Sequence, residues 1–243
     1  MSLVVSDHLS GEPIGALCVL GRGVERVQTR WGSVWRPTRY LEQPSKHGGH
    51  SGTRLPATPN DATALIAGSN ASTLGACTLF NRLRRQGDPP NLVIFAAGRP
   101  AYLTNESMMS EGVVLQQAFM RRLGVHARGT EMIILADNRN TCDDINATAM
   151  LASERHITQV AIITVDVHIA RAIEFARQVP GIARHLRLAF LTAEGLIRER
   201  YAERPCILRA IESVHSSEAY QRTDAREAQG LQALRAGTYW THR

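Results

Sequence analysis

Lysine is almost missing from this chain: of the 28 lysine and arginine residues, only Lys46 is a lysine. Schiff-base chemistry therefore has a single candidate, in a glycine-rich loop. Aromatic residues make up 5% of the sequence. No apolar run approaches the roughly 20 residues that cross a bilayer, which argues against a membrane protein. Met1 to Gly15 lack the basic-then-apolar order of a secretory leader, so a cytoplasmic location is expected. The four cysteines, Cys18, Cys77, Cys142 and Cys206, show no CxxC spacing. Neither a zinc knuckle nor a disulfide framework is suggested, and no metal is expected.

What is present is arginine, giving a formal charge of +6 over 243 residues. A basic balance can signal nucleic-acid binding. Here the arginines are spread along the chain, often in pairs such as Arg84 and Arg85 or Arg121 and Arg122, without interleaved aromatics. A solvated arginine-rich surface explains this better, and no nucleic-acid partner is expected.

Short apolar runs alternate with helical patterns. Gly15 to Leu20 reads as a strand closed by Gly21-Arg22-Gly23. A stretch with Trp31, Trp35, Pro37 and Tyr40 follows, then a Pro/Gly/Ser/His-rich loop from Pro44 to Asp61 in which Lys46 to Thr53 can act as a lid. Further strands are expected at Ala64–Ala67, Leu92–Ala97, Met132–Leu135, Val160–Val165 and Leu186–Leu191. The segments between them carry helical spacing, and a helix from about Glu106 or Ser110 to Leu123 stops at Gly124. This order indicates βαβ units around a mainly parallel sheet flanked by helices. The expected division is a strand and loop extension at 1–61, an α/β core at 62–195 and a helical segment at 196–243.

Polar clusters follow four of these strands: Gly68-Ser69-Asn70, Gly98-Arg99, Asp137 to Thr141, and Thr164 to His168. In an open parallel sheet such points share one edge, where ligands bind. Gly68-Ser69-Asn70 can cradle an anion with backbone N–H groups, or Ser69 or Asn70 can simply cap the helix. Ser110-Glu111 reads first as a cap with a dipole-matching acid, and second as a ligand anchor or base. Asp143 and Asp144 are acids in a first helical turn, where dipole complementarity competes with metal binding. His168 and Arg171, three apart, share a helix face suited to a phosphate or carboxylate.

Taken in order, these pieces resemble the DUF218 family, whose members include YdcF, SanA and ElyC. The likeness rests on Ala67-Gly68-Ser69-Asn70, Ala97-Gly98, Ser110-Glu111-Gly112, the run Asn138 to Ile145, and Thr164 to Ala172. It spans about Ala62 to Leu191 and is nearest to YdcF. The sequence departs from the family pattern at three places. Arg99 replaces a glycine, Gly112 an alanine, and Asp143-Asp144-Ile145 stands for Glu-Asn-Ala. The resemblance implies a Rossmann-like three-layer α/β fold. It also implies S-adenosylmethionine as a ligand, or a role in envelope polysaccharide and lipid-carrier metabolism like that of the membrane-anchored members.

The expected function is an enzyme that binds S-adenosylmethionine or a related nucleoside and acts on a small metabolite. In that reading Gly68, Ser69, Asn70, Gly98 and Arg99 shape the cradle. Asn140 and Thr141 hydrogen-bond the ligand, and His168 and Arg171 hold an anionic group. Glu111, Asp143 and His168 are the candidate catalytic groups. Two alternatives stand beside it: a metal-independent hydrolase or transferase of phosphorylated sugars or lipid-carrier phosphates, and a non-catalytic sensor of a nucleotide-type ligand. The partner is a small molecule, and a homo-oligomer is compatible with all three.

Overall fold

The computed structural model describes residues 13–39, 66–98, 110–179 and 186–239. The Pro44 to Asp61 loop with Lys46, and Arg99, lie outside the described residues. The chain runs β1 (Ala16–Leu20), β2 (Val24–Thr29), β3 (Gly32–Pro37), α1 (Gly68–Arg85), β4 (Leu92–Ala96) and α2 (Glu111–Leu123). It continues with β5 (Glu131–Leu135), α3 (Thr141–Glu154), β6 (Gln159–Thr164), α4 (Asp166–Gln178) and β7 (Arg187–Thr192). Three helices close it: α5 (Ala193–Arg200), α6 (Pro205–His215) and α7 (Glu218–Arg235).

Five strands form a parallel sheet in the order β5-β4-β1-β6-β7. β1 is central, with Ala16 beside both Leu92 and Val160. All five of its residues are buried, as expected for a strand covered on both faces. Strand alternation divides the core in two. Leu17 and Val19 face one cluster with Leu79, Phe80, Phe119 and Ile211. Ala16, Cys18 and Leu20 face the other, with Ile145, Ala172, Phe175 and Leu234. Helices α1, α2, α5 and α6 therefore cover one side and α3 and α4 the other, where the carboxyl end of α7 joins them; the amino end of α7, at Ala219, packs with the first group. The result is a three-layer, Rossmann-like α/β fold. Phe119 meets Phe80 and Phe95 edge-on at 5.7 and 5.5 Å, and full burial of each such ring stabilises by about 1.5–3 kcal/mol. Among the described residues no helix is long and apolar enough to cross a membrane.

Two parts of the sequence reading change. Of the strand expected at Ala64–Ala67, Ile66 and Ala67 are instead a buried bend leading into α1, and Ala64 and Leu65 lie outside the described residues. The place such a strand would take beside β4 is filled by β1. Ile66 and Ala67 bury their side chains in the core by packing instead of pairing. The Trp31/Trp35 stretch, for which no element is expected, is an antiparallel hairpin of β2 and β3 that packs on α2. Gly32, with φ +112°, supports its turn. The central strand thus comes from the segment assigned to the N-terminal extension.

Candidate functional site

The direction of strand progression reverses between β1 and β6, because the chain moves outward from β1 to β5 before returning to β6 and β7. Ligand crevices in such sheets open at the carboxyl ends of the two strands flanking that point. Here those ends carry Gly21-Arg22-Gly23 after β1 and Thr164 to His168 after β6.

The turn after β1 is built around Glu111, the first residue of α2. Gly23 N–H and Ser69 Oγ both donate to Glu111 Oε1, the latter at 2.9 Å. Arg22 N–H in turn donates to Ser69 Oγ at 2.5 Å. Gly21 has no side chain because a Cβ there would sit 2.3 Å from Glu111 Oε1 and 2.5 Å from Ala97 Cβ. Burial pushes the Glu111 carboxyl up, opposed by these hydrogen bonds and by the Arg22 charge. Ser110 caps α2 through Val113 N–H, so capping and site roles fall on adjacent residues.

With its backbone held in this way, the Arg22 side chain crosses to α7. Its Nη1 lies 2.7 Å from Glu227 Oε1. Arg171 of α4 reaches the same carboxylate, with Nη2 3.1 Å from Oε1. Arg171 Nε is 2.7 Å from Oε2, an ion-pair contact too bent for a hydrogen bond. Tyr239 Oη meets Arg171 Nη1 at 3.2 Å. Arg22 and Glu227 are both buried, so one carboxylate is shared between two guanidiniums away from bulk water.

Beside this triad lies His168. Its Nδ1 is 3.1 Å from Thr164 Oγ1 and its Nε2 3.4 Å from Thr141 Oγ1. Burial, and then the charges of Arg22 and Arg171, hold its pKa well below the ordinary histidine range. The ring is therefore neutral near pH 7, and either nitrogen can accept or donate according to its tautomer.

Two further buried acids complete the edge. Asp144 accepts from Asn138 Nδ2 at 2.9 Å. Burial raises its pKa to about 7, helped by the charges of Glu111 and Asp143. Glu194, at the start of α5, accepts the Asp166 N–H at 2.9 Å. Burial and the neighbouring Asp166 carboxylate push it to about 8. Asp166 Oδ2 also lies 2.7 Å from His215 Nε2. Among the described residues no group of three or more His, Cys, Asp or Glu side chains is placed to hold a metal ion.

The structure thus brings Ser69, Glu111, Thr141, His168 and Arg171 into one network. The other expected residues have different work. Gly68 opens α1 with φ +57° and Ala67 is the N-cap, so neither Ser69 nor Asn70 caps the helix. Asn70 Oδ1 accepts from Arg122 Nη2 at 2.7 Å, which ties α1 to α2. Gly98 is needed for packing, since its Cβ would lie 1.7 Å from the Asn138 carbonyl oxygen. Asn140 caps α3, accepting from Asp143 N–H at 3.0 Å. Asp143 accepts from Arg139 N–H and Asn140 Nδ2 at 3.1 and 3.0 Å. That carboxylate stabilises the loop, and its neighbour Asp144 is the one turned inward.

Sequence reasoning missed Arg22, Glu194 and Glu227, and weighed Asp144 only as a helix-dipole acid or a metal ligand. Gly-Arg-Gly after a buried strand was a usable signal for Arg22, because two small residues leave one long cation standing at the strand end. Glu227 carried none, in a helix of alternating charge. Comparisons with protein-family models, with curated proteins and with solved structures give no match.

Proposed function

We propose that this chain is an enzyme that binds S-adenosylmethionine or a related nucleoside in the crevice between β1 and β6, and acts there on a small metabolite. The observation that carries this reading is the separation of charge within one buried edge. Arg22 and Arg171 form a cationic pole already satisfied by a carboxylate. Glu111, Asp144 and Glu194 form a pole of carboxyls whose burial favours their neutral state. An α-amino acid zwitterion suits both poles. Its carboxylate takes the guanidinium fork, and its ammonium ionises and pairs with an acid that water does not reach.

S-adenosylmethionine, when bound, supplies an activated methyl group. The protein's own contribution is binding and proton handling. Asp144, poised near neutrality, holds or releases a proton at its Oδ atoms in the pH range where a general acid or base is effective. His168, kept neutral by burial and by the two guanidiniums and flanked by two threonine hydroxyls, serves as a hydrogen-bonding group. Glu111 and Ser69 act on Arg22 by fixing the turn that aims it, so they are positioning residues.

One observation favours the phosphate reading as well: a pair of guanidiniums sharing one anion is equally a phosphate fork. Calorimetric titration separates the two. S-adenosylmethionine or S-adenosylhomocysteine should bind the wild type with micromolar affinity and bind Arg22→Ala at least tenfold more weakly. If neither binds while a sugar phosphate does, the phosphotransfer reading replaces the first.

A further inference from the structure

The Glu227 carboxylate lies between Arg22 and Arg171. Both guanidiniums that the crevice offers are turned onto it, three nitrogens lying 2.7 to 3.1 Å from its two oxygens. Yet α7, which carries it, covers this edge with small and polar residues. Its buried positions are Ala219, Thr223, Glu227 and Leu234. Between the last two, Gly230 leaves space along which Arg171 lies; a Cβ there would be 3.3 Å from Arg171 Nη1. Apolar anchoring lies at the two ends of the helix: Ala219 and Tyr220 pack against the core at the amino end, and further anchoring gathers at the carboxyl end. There Leu234 joins the core, Gln178 Nε2 donates to the Leu234 carbonyl at 3.2 Å, and Tyr239 packs edge-on against Phe175 at 5.4 Å. The middle of α7 is held to the crevice chiefly by an anion.

We propose that the Arg22–Arg171 pair is the recognition site for a carboxylate or phosphate group of the ligand, and that Glu227 is its resident substitute, expelled when the ligand enters. The inference rests on the reading of the β1/β6 crevice as the ligand site and adds the chemistry of its anionic subsite. An exchange of one oxyanion for another keeps both buried guanidiniums paired, so neither is left as an uncompensated charge. Arg22 stays in place during the exchange because Ser69 and Glu111 hold its turn from the opposite side. A ligand that must first displace Glu227 binds with its affinity reduced by the fraction of molecules in which the fork is open.

The test uses the full chain as wild type, Glu227→Gln, and Glu227→Gln combined with Arg22→Ala, with S-adenosylhomocysteine and inorganic phosphate as probes. Glu227→Gln keeps the shape of the side chain and removes its charge. It should bind S-adenosylhomocysteine at least tenfold more tightly than wild type. Phosphate should raise its Tm more than that of wild type, and adding Arg22→Ala should abolish that gain, which separates the fork from other arginines on the surface. Equal affinity and equal phosphate response in wild type and Glu227→Gln would overturn the proposal. If S-adenosylhomocysteine binds both proteins equally and phosphate has no differential effect, the anionic subsite fails while the nucleoside reading stands. If only the phosphate effect appears, the subsite stands and the nucleoside reading fails. Should Glu227→Gln not fold, hydrogen exchange on the wild type decides. Amides in the middle of α7 must exchange faster when phosphate is added, and unchanged protection there contradicts the expulsion of Glu227.

Discussion

Asp143 and Asp144 are neighbours in one helical turn with opposite fates, because successive helical positions point about 100° apart. Asp143 turns out to the loop and accepts from Arg139 N–H and Asn140 Nδ2. Asp144 turns in, where burial lifts it to about 7 from the ordinary 3.8. The linkage has a definite sign. Between about pH 4 and pH 7 the unfolded chain has released this proton and the folded chain has kept it, so the folded state loses stability as pH rises through that window. Asp144→Asn removes the penalty and retains an acceptor for Asn138. Its stability gain over wild type should be near zero at pH 4, grow through neutrality and level off above pH 7 at up to about 4 kcal/mol. Denaturant titrations of both proteins at several pH values check this; a gain independent of pH would mean that Asp144 is not buried as described. Which acid faced inward was not legible in the sequence, since both occupy a turn where any acid suits the helix dipole. His168 and Arg171 were legible as a pair because their spacing puts them on one face, and both belong to the polar network at the carboxyl ends of β1 and β6.

Strands and helices were easier to read than their connections. β4, β6 and β7 stand out as continuous apolar runs, and β1 is closed by Gly21 and Gly23. The hairpin of β2 and β3 escaped because most of it is exposed or half-exposed, so it shows little of the alternation that marks a half-buried strand. The end of the run at 64–67 misled for the opposite reason: Ile66 and Ala67 are buried, yet they pair with no strand. Gly98, expected from the sequence as part of a ligand cradle, has a packing reason of its own. The Asn138 carbonyl of the β5–α3 loop fills the space of its missing Cβ, and that backbone cannot swing aside as a side chain could. Gly98→Ala should therefore destabilise the fold by about 3 kcal/mol or more. A thermal melt indistinguishable from wild type would show that the loops after β4 and β5 are not in this close contact.

At the scale of the whole molecule, sheet order decides where chemistry can occur. Because β1 is central and progression reverses beside it, groups distant in sequence, from Arg22 to Glu227, meet at one edge. The alternation of elements made the parallel sheet legible, but no local pattern reveals that the first strand lies at its middle or that the last helix reaches back over it. That arrangement makes one measurement more direct than the rest: a crystal structure of the chain with S-adenosylhomocysteine. The account predicts the ligand between the carboxyl ends of β1 and β6, its carboxylate within hydrogen-bond reach of Arg22 and Arg171, and the Glu227 side chain turned away. A ligand bound elsewhere, or bound there with both arginines still on Glu227, would contradict it.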